Sequence, residues 1–134
     1  MLPFRFDDFD VPASPALVVD VPIGTRTKEA LLEALAERLR FPDYFGVNWD
    51  AMEECIRDLS WLPTGPVVVK HSDLPLVGDV TGQKKYLSIL AGAVEKKWVV
   101  PGQRLRDLVV VFPPDTREQI SWLLRSSAYD EAGR

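Results

Sequence analysis

Carboxylates gather in one short stretch of this chain. Asp43, Asp50, Glu53, Glu54 and Asp58 stand against a single base, Arg57, so residues 43–58 carry a net −4. The whole 134-residue chain also carries −4, so the remainder balances to zero and the acidity is local. Asp50, Glu54 and Asp58 follow one another at i, i+4 and i+8, the spacing of neighbours on a helix surface. Paired carboxylates one turn apart have two chemical uses. They can act as acid and base in a hydrolase, which requires a concave pocket and a raised carboxyl pKa. They can instead form a binding surface, since exposed aromatics beside concentrated charge suggest recognition. A helix face of this kind should be convex, so binding is the better reading and no catalytic residue is assigned. Stability does not explain the row. Asp50 in a first turn gains roughly a few tenths of a kcal/mol from the helix dipole, but like charges at i, i+4 cost a similar amount.

A second cluster, His71-Ser72-Asp73, invites a catalytic reading. Adjacent residues on an extended chain point in alternating directions, which speaks against a hydrogen-bonded relay among them. The sequence has no Gly-rich phosphate loop and no Cys/His metal spacing. No cofactor or metal is expected.

The elements that must position the acids follow from pattern. Asn48 stands where a helix N-cap belongs, its side-chain oxygen able to take one of the first free backbone N–H groups. Beyond it Ala51, Met52, Cys55, Ile56 and Leu59 share an apolar stripe, the acids take the other side, and Trp49 falls on the border. Before it lies a loop holding Pro42, Tyr44, Phe45 and Gly46.

Elsewhere, residues 1–15 read as an N-terminal extension in which Phe4, Phe6 and Phe9 can fold back on the domain and Pro12 and Pro15 interrupt regular structure. Ala16–Val21 reads as a buried strand. A helix from about Lys28 to Arg40, capped by Thr27, turns Leu31, Leu35 and Leu39 inward. A strand over Pro66–Lys70 precedes a helix from about Gln83 to Lys97, with Leu87, Leu90, Ala91, Val94 and Trp98 on its core side. Leu108–Phe112 reads as the third strand. Asp115 and Glu118 form an aspartate version of a capping box ahead of a last helix over about Thr116–Ser126. Its apolar edge, Ile120, Leu123 and Leu124, either covers a sheet edge or extra core surface or makes a dimer contact; the first is preferred. Three short apolar strands separated by helical connections give an α/β fold, a small three-stranded parallel sheet packed with helices, plus an extra C-terminal helix.

Composition narrows the function classes. The length fits one domain able to bury a workable core. Cys55 is the only cysteine, so no internal disulfide is possible and a reducing, cytoplasmic setting is expected. The first ten residues lack the basic flank and apolar run of a secretion signal, and no stretch approaches the ~20 apolar residues of a membrane span. A negative balance argues against direct nucleic-acid binding and fits a basic partner.

The run Pro42-Asp43-Tyr44-Phe45-Gly46-Val47-Asn48-Trp49-Asp50-Ala51, with Cys55 further on, resembles the signature segment of the barstar family, intracellular protein inhibitors of barnase-type ribonucleases. The likeness covers roughly residues 16–112, leaving residues 1–15 and a helical segment over 113–134 as additions to the same compact domain. It implies a three-stranded parallel sheet with helices packed on it. It further implies that a row of carboxylates takes the phosphate positions of a basic ribonuclease's active site, one inhibitor to one enzyme, the free inhibitor being a monomer. By this resemblance Asp50 and Glu54 match the two carboxylates of the binding helix, and Tyr44, Gly46 and Asn48, with Phe45 beside them, match the loop that lies on the enzyme. Trp49 and Glu53 match further contacts. Glu54 replaces an aspartate, Glu53 an aromatic, and Arg57-Asp58 a small threonine-glycine pair. Gly92 aligns with an acid that family members supply from the third helix, and Glu95 is the nearest acid to it. These departures suggest a cognate enzyme other than barnase. The alternative reading is a barstar-fold interaction or immunity module with a non-ribonuclease partner.

Overall fold

Three valine-rich segments line up in parallel, with Val67, Val68 and Val69 of the central one buried on both faces of the sheet. The first, expected as a buried strand, buries only Val19 and Val21 and leaves Val18 and Asp20 exposed, as an edge strand covered on one face does. The computed structural model describes residues 2–7, 12, 14, 15, 17–42, 46–95 and 107–132, the last six through their backbone. Within these, the order is β1 (Leu17–Val21), α1 (Lys28–Arg38), α2 (Trp49–Asp58), β2 (Val67–His71), α3 (Val80–Glu95), β3 (Leu108–Val111), a 3-10 turn (Pro114–Thr116) and α4 (Arg117–Ala132). The sheet order is β1-β2-β3, parallel throughout, with Val19 opposite Val69 and Val69 opposite Val110. This is the expected α/β fold.

Residues 2–7 add a stub of pairing beside β3. Arg5 N–H donates to Val110 O at 2.8 Å, and Phe112 N–H donates to Arg5 O at 2.9 Å. That bridge sets Phe4 and Phe6 into the core. The sheet edge at β3 is therefore met by the N-terminal segment, while α4 packs on α3 and buries Ile120 and Leu123. Phe9 and Trp98 lie outside the described residues.

Several boundaries differ from the sequence reading, each for a local reason. Helix α1 stops at Arg38, where Leu39 N–H closes on Leu35 O and Arg40 adopts a left-handed φ of 57°. Helix α3 begins at Val80 rather than Gln83, because Asp79 caps it: its Oδ1 accepts from Gly82 N–H at 2.9 Å. The Asp79 carboxylate lies where a Cβ at position 82 would sit, so a larger residue there would have to displace the capping side chain. The capping box at Asp115 and Glu118 does not form. The Pro113-Pro114 pair sets up a 3-10 turn instead, with Thr116 Oγ1 donating to Pro113 O at 2.7 Å. Helix α4 then runs on to Ala132, beyond the expected Ser126.

The sheet's C-terminal end holds a buried polar pair. His71 is 7% exposed and its ring stacks on Phe112, centroids 4.0 Å apart. Its Nδ1 lies 2.9 Å from Val111 O, which can only accept, so Nδ1 carries the proton and Nε2 accepts from the Tyr86 hydroxyl at 2.6 Å. Ser72 is exposed, and Asp73 Oδ2 accepts from Gly24 N–H at 2.9 Å. His71 turns into the core, Ser72 to solvent and Asp73 to the Gly24 backbone, as alternation along an extended chain requires. They do not form a relay.

Burial holds the His71 pKa down to about 4, against 6.5 for a free side chain, with the Val111 bond pulling weakly the other way. Above pH 6.5 the ring is neutral in both folded and unfolded chains and makes no pH-dependent contribution. As pH falls from about 6.5 toward about 4 only the unfolded chain takes up the proton, so stability is lost across that window. Between pH 6.5 and 5 the expected loss is about 2 kcal/mol. His71 is the only histidine, so urea titrations at the two pH values should show the loss in the native chain and its disappearance in His71→Gln.

Candidate functional site

Helix α2 forms because Asn48 starts it and its apolar positions recur at helical spacing. Asn48 has extended backbone angles, and its Oδ1 accepts from Ala51 N–H at 2.8 Å, satisfying one of the free first-turn donors. Asn48→Ala should cost about 1 kcal/mol, readable as a lower urea midpoint with unchanged slope. The inward stripe is Met52, Cys55, Ile56 and Leu59, all buried, with Ala51 at the margin. Leu59 ends the helix in a left-handed conformation, φ 50°, donating its N–H to Cys55 O. That backbone is unfavourable for a branched side chain, and Leu59, 1% exposed, offsets it by burial.

The outward face carries the acids. Asp50 and Glu54 are exposed, and Asp58 is half-buried. Among the described residues no lysine or arginine pairs with any of the three; beside them Glu53 and Arg57 form an ion pair across 3.9 Å at i, i+4. The self-compensated pair and the uncompensated row therefore run side by side. Their field reaches inward as well: burial raises the Cys55 thiol pKa, and the Glu54 and Asp58 charges raise it further. A buried thiol held protonated is chemically inert.

The loop ahead of α2 is fastened from below by residues that periodicity did not single out. Phe41 is buried, its N–H donates to Ala36 O, and its ring meets Trp61 edge-on at 6.1 Å. Trp61 Nε1–H donates to Leu39 O at 2.9 Å, tying the end of α1 to the turn after α2. At the other end Trp49 is half-buried, its ring 6.5 Å from that of Tyr86 on α3. Tyr86 is fully enclosed, its phenol pKa pushed well above the ordinary range by burial, and it donates to His71. Thus a chain of contacts links β2, α3 and the first turn of α2. A long-range hydrogen bond from a single Trp or Tyr leaves no local period, so composition alone does not reveal these anchors.

Of the residues expected at the site, Gly46, Asn48, Asp50 and Glu54 stand on the surface, and Trp49, Glu53, Arg57 and Asp58 are half-buried on the same helix. Asn48 N–H also donates to Gly46 O at 2.8 Å, a tight turn that sets the loop against the helix start. Tyr44 and Phe45 lie outside the described residues. Gly92, aligned with a third-helix acid, is buried in α3, while Glu95 is exposed near its end. The paired carboxylates of Asp50 and Glu54 sit on an exposed helix surface, the setting of a contact face. Among the described residues there is no group of three or more His, Cys, Asp or Glu that could hold a metal ion, and no helix long and apolar enough to cross a membrane.

No curated protein matches the chain. A family model described as Barstar (barnase inhibitor) matches residues 18–113, running from β1 through the end of β3 and including all of α2. That span is well over half of the sequence. With the parallel sheet and the acidic helix in place, the chain belongs to the barstar family, whose members are inhibitors rather than enzymes.

Proposed function

We propose that this protein inhibits a barnase-type, guanyl-preferring microbial ribonuclease inside the cell by seating α2 and the loop before it in the enzyme's active site. The observation that carries the reading is the pair Asp50 and Glu54: exposed, one helical turn apart, and without a cation of this chain paired to either among the described residues. A ribonuclease cleft must hold phosphate and is lined with positive charge. Carboxylates on a rigid helix can fill phosphate positions while offering no bond to cleave. Long-range attraction raises the association rate, and the desolvated pairs slow dissociation. Asn48 and Gly46 hold the loop at the helix start, Trp49 braces the first turn on Tyr86, and Glu53, Arg57 and Asp58 extend the contact. Tyr44 and Phe45 supply the aromatic contacts of the loop. The expected complex is one inhibitor to one basic enzyme, with no cofactor, no nucleic acid and no membrane involved, in the role of own-enzyme inhibitor or immunity protein.

Titration into a panel of microbial guanyl-type ribonucleases tests this. Stoichiometric loss of RNA cleavage is expected with at least one member. One observation favours the other reading, a barstar-fold module with a different partner: position 92, aligned with an acid that family members use, is a buried glycine. Absence of inhibition throughout the panel supports that alternative.

A further inference from the structure

We propose that α4 carries a second interaction surface, on which two copies of this chain associate through antiparallel packing of Glu118, Trp122 and Arg125. Helix α4 begins beyond residues 18–113, the span of the family match, so this face is separate from α2. Ile120 and Leu123 are buried and Leu124 packs against the core, which fixes the helix's inward direction. At about 100° per residue, Glu118, Trp122 and Arg125 all fall close to the opposite direction. Trp122 is 50% exposed, with Lys84 Nζ 5.6 Å from its ring centroid. Half of this tryptophan stays in solvent on the side turned from the core, with Lys84 of α3 beside its ring.

The charges beside it choose the occupant. Because the capping box does not form, the Glu118 carboxylate stands exposed with no partner among the described residues. Arg125 is exposed, and its Nη1 donates to the neutral Ser121 hydroxyl at 3.2 Å. Residues 118 and 125 lie equally far from a point between 121 and 122. A two-fold axis through that point sets Glu118 of each copy opposite Arg125 of the other and brings the two Trp122 rings together at the centre. Any isologous contact must be self-complementary in this way. A parallel alignment would oppose like charges instead. One helix pair is a small interface, so the association is weak, of micromolar order, and the free chain is a monomer below that concentration.

Sedimentation equilibrium of the full chain over a concentration series tests the pairing. The native chain should dimerise reversibly, and Trp122→Ala should abolish the dimer. Glu118→Arg and Arg125→Glu should each weaken it about tenfold or more, because each puts like charges together twice. The double variant E118R/R125E should recover most of the native affinity, an outcome peculiar to this symmetric register. Urea midpoints close to native show that the variants fold, and Trp122→Ala should titrate a ribonuclease as the native chain does. Should Trp122→Ala prove unstable, the exposed charge swap carries the test alone. A native chain that stays monomeric, a dimer indifferent to Trp122→Ala, or a double variant no better than the singles would overturn the proposal. So would loss of ribonuclease binding in Trp122→Ala.

Discussion

Asp50→Ala and Glu54→Ala should each weaken the complex with the cognate ribonuclease by about 2–5 kcal/mol, the general cost of truncating one half of a desolvated charge pair. That scale was set by charge-paired complexes, the barstar family's own among them. It corresponds to a rise in inhibition constant of about 30-fold to several thousand-fold. Much of the cost lies on the enzyme's side, where a buried cation is left without a counter-charge. The substitutions should leave the inhibitor's own stability nearly unchanged, because both side chains are exposed and unpaired among the described residues. Glu54→Asp separates charge from reach: it keeps the carboxylate and removes one methylene. A cleft matched to the longer side chain loses affinity, and a cleft matched to the family's aspartate gains it. Inhibition constants that move by less than about half a kcal/mol in the alanine variants would remove these residues from the site.

Phe112→Ala should cost the fold about 3–5 kcal/mol, the range for deleting a fully buried aromatic. Phe112 is completely enclosed, stacked on His71 at 4.0 Å and met edge-on by Phe4 at 5.2 Å. Truncation opens a cavity where the sheet, the N-terminal segment and the polar pair meet. It also strips the apolar cover from the His71–Tyr86 bond, on which the brace beneath Trp49 depends. A domain of this kind has about 5–15 kcal/mol in total, so the variant should unfold at much lower urea, and Phe112→Leu should fall between it and the native chain. A midpoint shift under about 1 kcal/mol for Phe112→Ala would mean that the core closes over the gap.

What the sequence conveyed was the part written in local period. The stripe of Leu31, Leu35 and Leu39 is buried as spaced, Met52, Cys55 and Ile56 likewise, and the three valine-rich runs pair in parallel. The Asn48 cap could be read because its partner, Ala51, is three residues away. Contacts between distant residues were not legible. Trp61 bonding Leu39, His71 between Val111 and Tyr86, and Arg5 bridging to Val111 join positions whose neighbours carry no trace of the pairing. The missed start of α3 and the capping box that did not form have another cause. In both places two local signals compete: at Asp79 the cap prevails over the following loop-like residues, and at Pro113-Pro114 fixed backbone angles prevail over a side-chain bond. The acidic row was fully visible, since charge and spacing are properties of the sequence. Its freedom from internal cations among the described residues was not, because any of the chain's 16 lysines and arginines could have folded over it.

The most direct test of the central claim, that carboxylates of α2 take the place of RNA phosphates, is a competition measurement. The ribonuclease identified by the inhibition panel is saturated with a non-cleavable guanosine-containing dinucleotide, and this protein is titrated in by calorimetry. Mutual exclusion is the predicted result, with the apparent affinity falling in proportion to dinucleotide concentration and Asp50→Ala binding less tightly with or without the nucleotide. A ternary complex, in which inhibitor and dinucleotide occupy the enzyme together at undiminished affinity, would contradict it.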